Sequence, residues 1–338
     1  MKEVTIYDIA RETGVSPATV SRALKNNPAI SDKVKRKIKE KAESMGYRTN
    51  TFASNLRTKR TDTLGIIVPR LDSNFMSTVL AGIEKVANEN GYNLIITQSF
   101  ESQKKEVSNS VTLFNSRVDG LIVSLSSDST DISHFKRYID KHIPLLFFDR
   151  VCNRFDCANV VIDNTKLGYE TTMHLIAQGC TRILHVTGNQ NCNVYTERHN
   201  GYKTALLENN FQYDPSLVIE TGLKIDDGSD IANKILEMVI MPDGLFIAND
   251  ACAAGVMSVL KAKGIKIPED IAIAGFNNDP ISRLVEPPLT TVNYPGYDMG
   301  EMVAKLMINH LKGISDLNMT NRIIMKADLL IRDSSVRK

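Results

Sequence analysis

The sequence has no apolar run near the ~20 residues needed to span a bilayer. Its longest apolar stretches, such as Leu64 to Val68, are a handful of residues long. The opening MKEVTIYDIA carries no apolar secretory core, so a cytoplasmic chain without a membrane partner is expected. Cysteine is sparse: five residues, at 152, 157, 180, 192 and 252, form no CxxC pair. That excludes a legible disulfide framework or zinc ribbon and leaves free thiols as the expectation. There is no GxGxxG after the first strand-like run, no GxxxxGK[ST] and no GxSxG, so the dinucleotide, phosphate-loop and nucleophile-elbow signatures are missing. Six histidines include no HExxH. The sequence therefore calls for no cofactor, no metal and no catalytic set, and among the histidines only His199, beside Arg198, is worth following.

What is present is a chain of 338 residues, 42% apolar and 24% charged. It suits two or three domains, because one core rarely grows past ~250–300 residues. The formal charge of +2 is unevenly spread. Residues 1–60 hold 14 Lys and Arg against 6 Asp and Glu, giving +8, whereas the remainder holds 27 against 33, giving −6. A small basic head on a mildly acidic body implies a polyanion partner for the head alone.

Within the head, Thr5 suits the cap of a first helix with Ile6, Ile9 and Ala10 on one face and Asp8 in the favoured first turn. Gly14 ends it. The pattern restarts with Ser16 as cap, Pro17 at the first helical position, and Val20, Ala23 and Leu24 inward. Two short helices about a Gly-containing turn have the form of a helix-turn-helix, whose second helix enters the major groove. Pro17, Ala18, Ser21 and Arg22 face outward, and Arg22 is the long donor able to take a guanine edge bidentately. A third helix, from the Ser31 cap to Gly46, places Val34, Ile38, Ala42 and Met45 inward. Lys33, Lys35, Arg36, Lys37, Lys39 and Lys41 are then expected on phosphates. A charged three-helix bundle without DNA is the duller alternative.

The polar stretch RTNTFASNLRTKRTD reads as a linker. Thr51 to Arg57 can form about two helical turns, too few to stand alone. Leu56 is open to two readings: simple packing, or an apolar wedge in a minor groove with Arg57, Lys59 and Arg60 on phosphates.

From Thr63 onward, nine β-branched runs (TLGIIVP, YNLIITQS, DGLIVSL, PLLFFD, NVVID, RILHVTG, SLVIE, DGLFIAN and DIAIAGF) alternate with helical patterns. This is a doubly wound α/β signature with too many strands for one small lobe, so two similar lobes breaking near Asp163 are expected. Ligands in such sheets sit beyond the carboxyl ends of strands. Asn74, Phe75, Asp149, Arg150, Arg198, Asn249, Asp250, Asn277, Asn278 and Asp279 occupy such ends and suit a sugar or another small polyhydroxy or carboxylate ligand. Asn and Asp at these junctions are also common helix caps, and for Asn249 and Asp250 both roles stay open.

The ordered match of TIYDIARETGVSPATVSRALKNNPAISDKVKRKIKEKAESMGY, ASNLRTKRTDTLGIIVP and the body through residue 333 resembles the LacI/GalR family of bacterial transcription regulators. The resemblance implies an α-helical helix-turn-helix DNA-binding domain (1–48), a hinge (49–62) and an α/β two-lobed periplasmic-binding-protein-like effector domain (63–335). It implies three crossings between lobes, with lobe 1 at about 63–160 plus 291–321 and lobe 2 at about 163–288 plus 322–333. The DNA-contacting set becomes Thr5, Ser16, Pro17, Ala18, Thr19, Ser21, Arg22, Asn26, Tyr47, Asn55, Leu56 and Arg57, with Leu56 as the intercalating hinge leucine on a pseudopalindromic double-stranded operator. Asp149, Arg198, Asn249 and Asn277 become effector-pocket positions. Asn277 departs from the aspartate of several sugar-responsive relatives, so the effector's hydroxyl pattern does not carry over.

The reading is thus a regulator, acting as a repressor, whose operator affinity is set by a small-molecule effector, a carbohydrate being the expected class. Because no leucine heptad follows the last strand, a homodimer is expected. A catabolite-control type that senses a phosphocarrier protein remains an alternative. A periplasmic sugar-binding protein has no use for the basic head, and a sugar-converting enzyme needs a catalytic set that is not visible.

Overall fold

Asp8, three residues into the first turn of the head, accepts both the Thr5 N–H at 2.9 Å and the Thr5 hydroxyl at 2.7 Å, fixing the start of α1 (Ile6–Thr13). Gly14 ends that helix at φ +73°, a conformation in which a side chain would be strained. Ser16 accepts the Thr19 N–H at 3.1 Å and opens α2 (Pro17–Leu24). With α3 (Asp32–Ser44) these helices bury Ile9, Val20, Ala23 and Ile38 completely. The computed structural model describes residues 4–47, 60–152 and 157–337 in two units, Met1–Thr61 and Asp62–Lys338.

The second unit begins with β1 (Thr63–Val68), α4 (Asn74–Glu89), β2 (Asn93–Gln98), α5 (Gln103–Asn115), β3 (Gly120–Val123), α6 (Lys136–Asp140), β4 (Leu145–Phe148) and β5 (Ala158–Ile162). These strands are parallel in the order β5-β4-β3-β1-β2. The central ones are buried throughout, as continuous apolar runs covered on both faces must be. β2, at the edge, is half-exposed.

Asp163 then accepts the Lys166 N–H at 2.9 Å and opens α7 (Asn164–Ala177) in the second lobe. There follow β6 (Ile183–Thr187), α8 (Asn193–Glu208), β7 (Val218–Glu220), α9 (Ile225–Leu236), β8 (Gly244–Ile247), α10 (Asp250–Ala262), β9 (Ala272–Ala274) and α11 (Ile281–Leu284). This sheet is parallel in the order β7-β6-β8-β9. All nine strands expected from the β-branched runs are present.

The return differs from expectation at both ends. β10 (Thr291–Asn293) stays beside the second lobe through bridges Ala274 to Thr290 and Asn277 to Asn293, so it is α12 (Gly296–Leu311), packed on α4, that returns to the first. β11 (Arg322–Met325), expected in the second lobe, instead pairs in parallel with β5, Arg322 opposite Asn159 and Met325 opposite Ile162. Ile323 and Met325 thereby pack on the first lobe's core; an apolar run has no feature that says which sheet edge it joins. β12 (Asp328–Leu330) pairs antiparallel with β10, and Ser334 ends in the second lobe, its carbonyl accepting the Ile273 N–H at 2.8 Å.

Candidate DNA-reading face and interlobe site

On α2, Ala18 and Arg22 are exposed while Pro17, Thr19 and Ser21 are half-buried. Arg22 Nε donates to the Ala18 carbonyl at 3.3 Å. The remaining expected contacts sort by what they already hold. Thr5 is tied to Asp8, and Ser16 and Thr19 share a hydroxyl contact at 2.9 Å within the cap. Asn26 sits at φ +56° and accepts from Lys39 Nζ at 2.6 Å, and Tyr47 packs on the head's core. Asn55, Leu56 and Arg57 lie outside the described residues.

Several basic residues of α3 also hold partners within the head. Lys37 donates to the Thr13 carbonyl at 3.2 Å, Lys41 pairs with Glu12 at 3.0 Å and Lys35 with Asp32 at 3.1 Å. Lys37 and Lys41 thus tie α3 to α1, and Lys39 on Asn26 ties it to the residues that follow α2, while Lys35 pairs within α3 and Lys33 and Arg36 are exposed. Surface pairs of this kind contribute ~0–1 kcal/mol, small enough to be exchanged for a phosphate.

Between the lobes the expected effector residues separate into two groups. Asn74, Phe75 and Asn277 line a cavity of about 280 Å³, together with Thr78, Asn293, Tyr294 and Asp298. The Phe75 and Tyr294 rings meet with centroids 4.1 Å apart, tilted by 31°. Asn277 holds φ +115° while its N–H donates to the Val292 carbonyl at 3.0 Å. Burial pushes the neighbouring Asp279 up to about 6, and a hydrogen bond from Asn277 opposes that rise.

Asp149, Arg150, Arg198 and Asn249 form the other group, and each is committed to protein partners. Asp149, 5% exposed, accepts from Tyr294 Oη at 2.8 Å and Ser124 Oγ at 3.3 Å. Burial raises its carboxyl above the ordinary range, against the pull of Arg150 and the Tyr294 hydroxyl. Arg150 donates to Glu101 at 2.6 Å from the first lobe and to Tyr195 Oη at 3.3 Å from the second. Despite desolvation, Arg150 keeps the Glu101 carboxyl below its usual range. Arg198, 3% exposed, donates to Asn164 Oδ1 at 2.9 Å and the Ala248 carbonyl at 3.2 Å, with its guanidinium 3.5 Å from the Phe276 ring centre. Burial lowers its pKa. Asn249 Oδ1 accepts the Ala251 and Cys252 N–H groups at 2.8 and 3.2 Å, so the cap reading describes its oxygen.

Asp250 is completely buried, accepting from Thr291 Oγ1 at 2.7 Å and the Asp279 N–H at 2.8 Å. His199 turns away from the cleft, into a ring cluster with His185, Tyr202 and Tyr213, where burial drives His185 down to about 3. All five cysteines are free. Sequence reasoning missed Glu101, Asn164, Tyr195 and Tyr294. Glu101 follows β2, so the strand-end rule reaches it, whereas Tyr195 lies inside a helix and carries no such signal.

A family model described as bacterial regulatory proteins, lacI family, matches residues 5–50, and a periplasmic binding protein-like domain matches residues 172–335. Catabolite control protein A of Priestia megaterium is 32% identical over 309 residues, covering 91% of this chain and 92% of the relative. The solved complex of the transcriptional regulator CelR with cellobiose is 25% identical with TM-score 0.74, covering 98% of this chain and 100% of that one. The lac repressor dimer bound to operator and an anti-inducer has TM-score 0.86 at 23% identity, covering 99% and 100%, a likeness of fold alone.

Proposed function

Because the chain belongs to the LacI family of bacterial regulatory proteins, we propose that it is a cytoplasmic repressor that grips a pseudopalindromic operator as a homodimer and changes its grip when a carbohydrate binds between its lobes. The observation that carries this reading is the pairing, in one chain, of a +8 head exposing Arg22 on α2 with a two-lobed body holding a cavity between its sheets. Phosphate contacts supply sequence-independent affinity, and Pro17, Ala18 and Arg22 read base edges. The hinge leucine, Leu56, opens a base step in the minor groove, and Leu56→Ala is expected to abolish operator bending in a gel-phasing assay. A ligand acts only through its different affinity for two arrangements of the lobes, so the effector must favour one spacing of the paired hinges. Support for a carbohydrate comes from the cellobiose held by the CelR relative.

Selection of bound fragments from a random duplex library tests the reading. Enrichment of an inverted repeat is expected; no enriched motif would contradict it. The name of the Priestia relative, catabolite control protein A, favours a second reading, a catabolite-control regulator that we infer would respond to a protein partner such as a phosphocarrier protein. Adding that protein to the same operator titration distinguishes the two.

A further inference from the structure

We propose that the interlobe cavity selects an uncharged, hydroxyl-rich sugar and excludes the corresponding phosphate esters and carboxylates. This rests on the reading of the cleft as the effector site and adds the ligand's charge class to it.

The argument starts from the two arginines nearest the cleft. Anionic ligands are recognised by a guanidinium fork or an ammonium with donors to spare. Arg150 is occupied by Glu101 at 2.6 Å and by Tyr195. Drawing it away would leave Glu101, which also accepts the Ser127 N–H at 2.9 Å, as a largely buried carboxylate without its cation, a costly state. Arg198 is fixed by Asn164 and the Ala248 carbonyl and lies flat against Phe276. Neither cation is among the residues that line the cavity, and among the described lining residues there is no Lys or Arg.

The lining carries the opposite character. Asn74 brings an amide that donates and accepts; the Thr78 hydroxyl, which donates to the Phe75 carbonyl at 2.7 Å, keeps its oxygen as an acceptor, and Asn293, whose Oδ1 accepts from Asn278 at 2.9 Å, keeps its amide donors, so the wall offers both roles to ring hydroxyls. Asp279 and Asp298 bring negative charge to the same wall, which repels a phosphate at short range and accepts from a hydroxyl. Phe75 and Tyr294 add an apolar surface for the C–H face of a sugar ring. At about 280 Å³ the space lies at the small end of ligand pockets. A carboxylate at position 277 would be a third on this wall, whereas Asn277 adds no charge and its amide is engaged with Asp279. The cavity is therefore polar without being cationic.

The test is isothermal titration of the full-length protein with glucose, ribose and cellobiose, and in parallel with glucose 6-phosphate, ribose 5-phosphate and gluconate. At least one neutral sugar is expected to bind, with its charged counterpart weaker by a factor of ~100 or more. Thr78 is exposed on the cavity wall. Thr78→Lys, which adds a cation there, is expected to move the preference toward the phosphate by ~10-fold or more, a change that general loosening of the fold would not produce. If a phosphate or carboxylate binds the parent protein more tightly than the neutral sugar, or if Thr78→Lys leaves the ratio unmoved, the charge-class proposal is overturned while the effector reading stands. If none of these compounds binds a protein that still recognises its operator, the proposal fails. The effector reading fails with it when a wider metabolite screen also leaves operator affinity unchanged.

Discussion

Arg22 has the Ala18 carbonyl of its own helix as hydrogen-bond partner at 3.3 Å, a weak tie that a guanine edge can replace. Removing a bidentate base contact costs ~1–3 kcal/mol of discrimination. Arg22→Ala is therefore expected to keep salt-sensitive binding but lose most of its preference for the operator in a competition shift assay; undiminished preference would count against the assignment. Asp250 makes a second residue-level prediction. Burial pushes it up to about 8, well above the ~3.9 of an unfolded chain. A carboxyl raised on folding stabilises the fold while protonated. Its contribution is complete below about pH 4 and is lost as the pH rises through about 8. Melting temperature should thus fall between about pH 4 and pH 8 and level off above. Asp250→Asn keeps an acceptor for the Asp279 N–H and supplies a donor to Thr291, so it should flatten the upper part of that fall by a few degrees in calorimetry. A variant as pH-sensitive as the parent would show that another group governs the decline.

At the scale of elements, three helix pairs meet backbone to backbone through glycines. A Cβ on Gly300 of α12 would lie 2.0 Å from the Val79 carbonyl oxygen of α4, and one on Gly82 would lie 2.2 Å from that of Tyr297. Gly168 and Gly201 do the same between α7 and α8, and Gly228 and Gly255 between α9 and α10. Gly300→Ala must separate α12 from α4, and overpacking of this kind costs ~1–3 kcal/mol. A urea unfolding midpoint equal to that of the parent would refute this. The nine strands were legible because β-branched runs bounded by turn residues have few other uses, and the helix-turn-helix because Ser16, Pro17 and Gly14 each have a local reason for their place. The glycine crossings were not legible, since close approach depends on a partner helix that local sequence does not name: β2 through β10, with the whole second sheet, lie between Gly82 and Gly300. The same limit hid the placement of β11. In the site, strand ends pointed to the right neighbourhood, but local pattern could not tell Asn74, Phe75 and Asn277, which line the cavity, from Arg150 and Arg198, which the fold had already engaged.

Across the whole second unit, the lobes are joined by polar contacts as well as by chain crossings. Arg150 links Glu101 of the first lobe to Tyr195 of the second, and Asn193 accepts the Val151 N–H at 3.0 Å while donating to the Asp149 carbonyl at 3.4 Å. Glu101→Gln keeps the shape and removes the charge, leaving Arg150 with a weaker partner. A loss of ~1–3 kcal/mol is expected in denaturant unfolding, below the 3–5 kcal/mol of a fully buried pair because Glu101 retains some exposure; an unchanged midpoint would mean that the clasp adds nothing to lobe closure. These contacts make separation of the lobes a discrete event that a ligand can bias. The account as a whole is tested most directly by fluorescence anisotropy of the full-length protein on a selected inverted repeat and on its scrambled counterpart, between ~50 and ~200 mM salt, with and without neutral sugars. The prediction is a preference of at least ~10³ for the repeat, affinity that falls steeply with salt on both duplexes, and a shift of ~5-fold or more with one of the sugars. Equal affinity for the two duplexes, unmoved by any of the sugars, would contradict it.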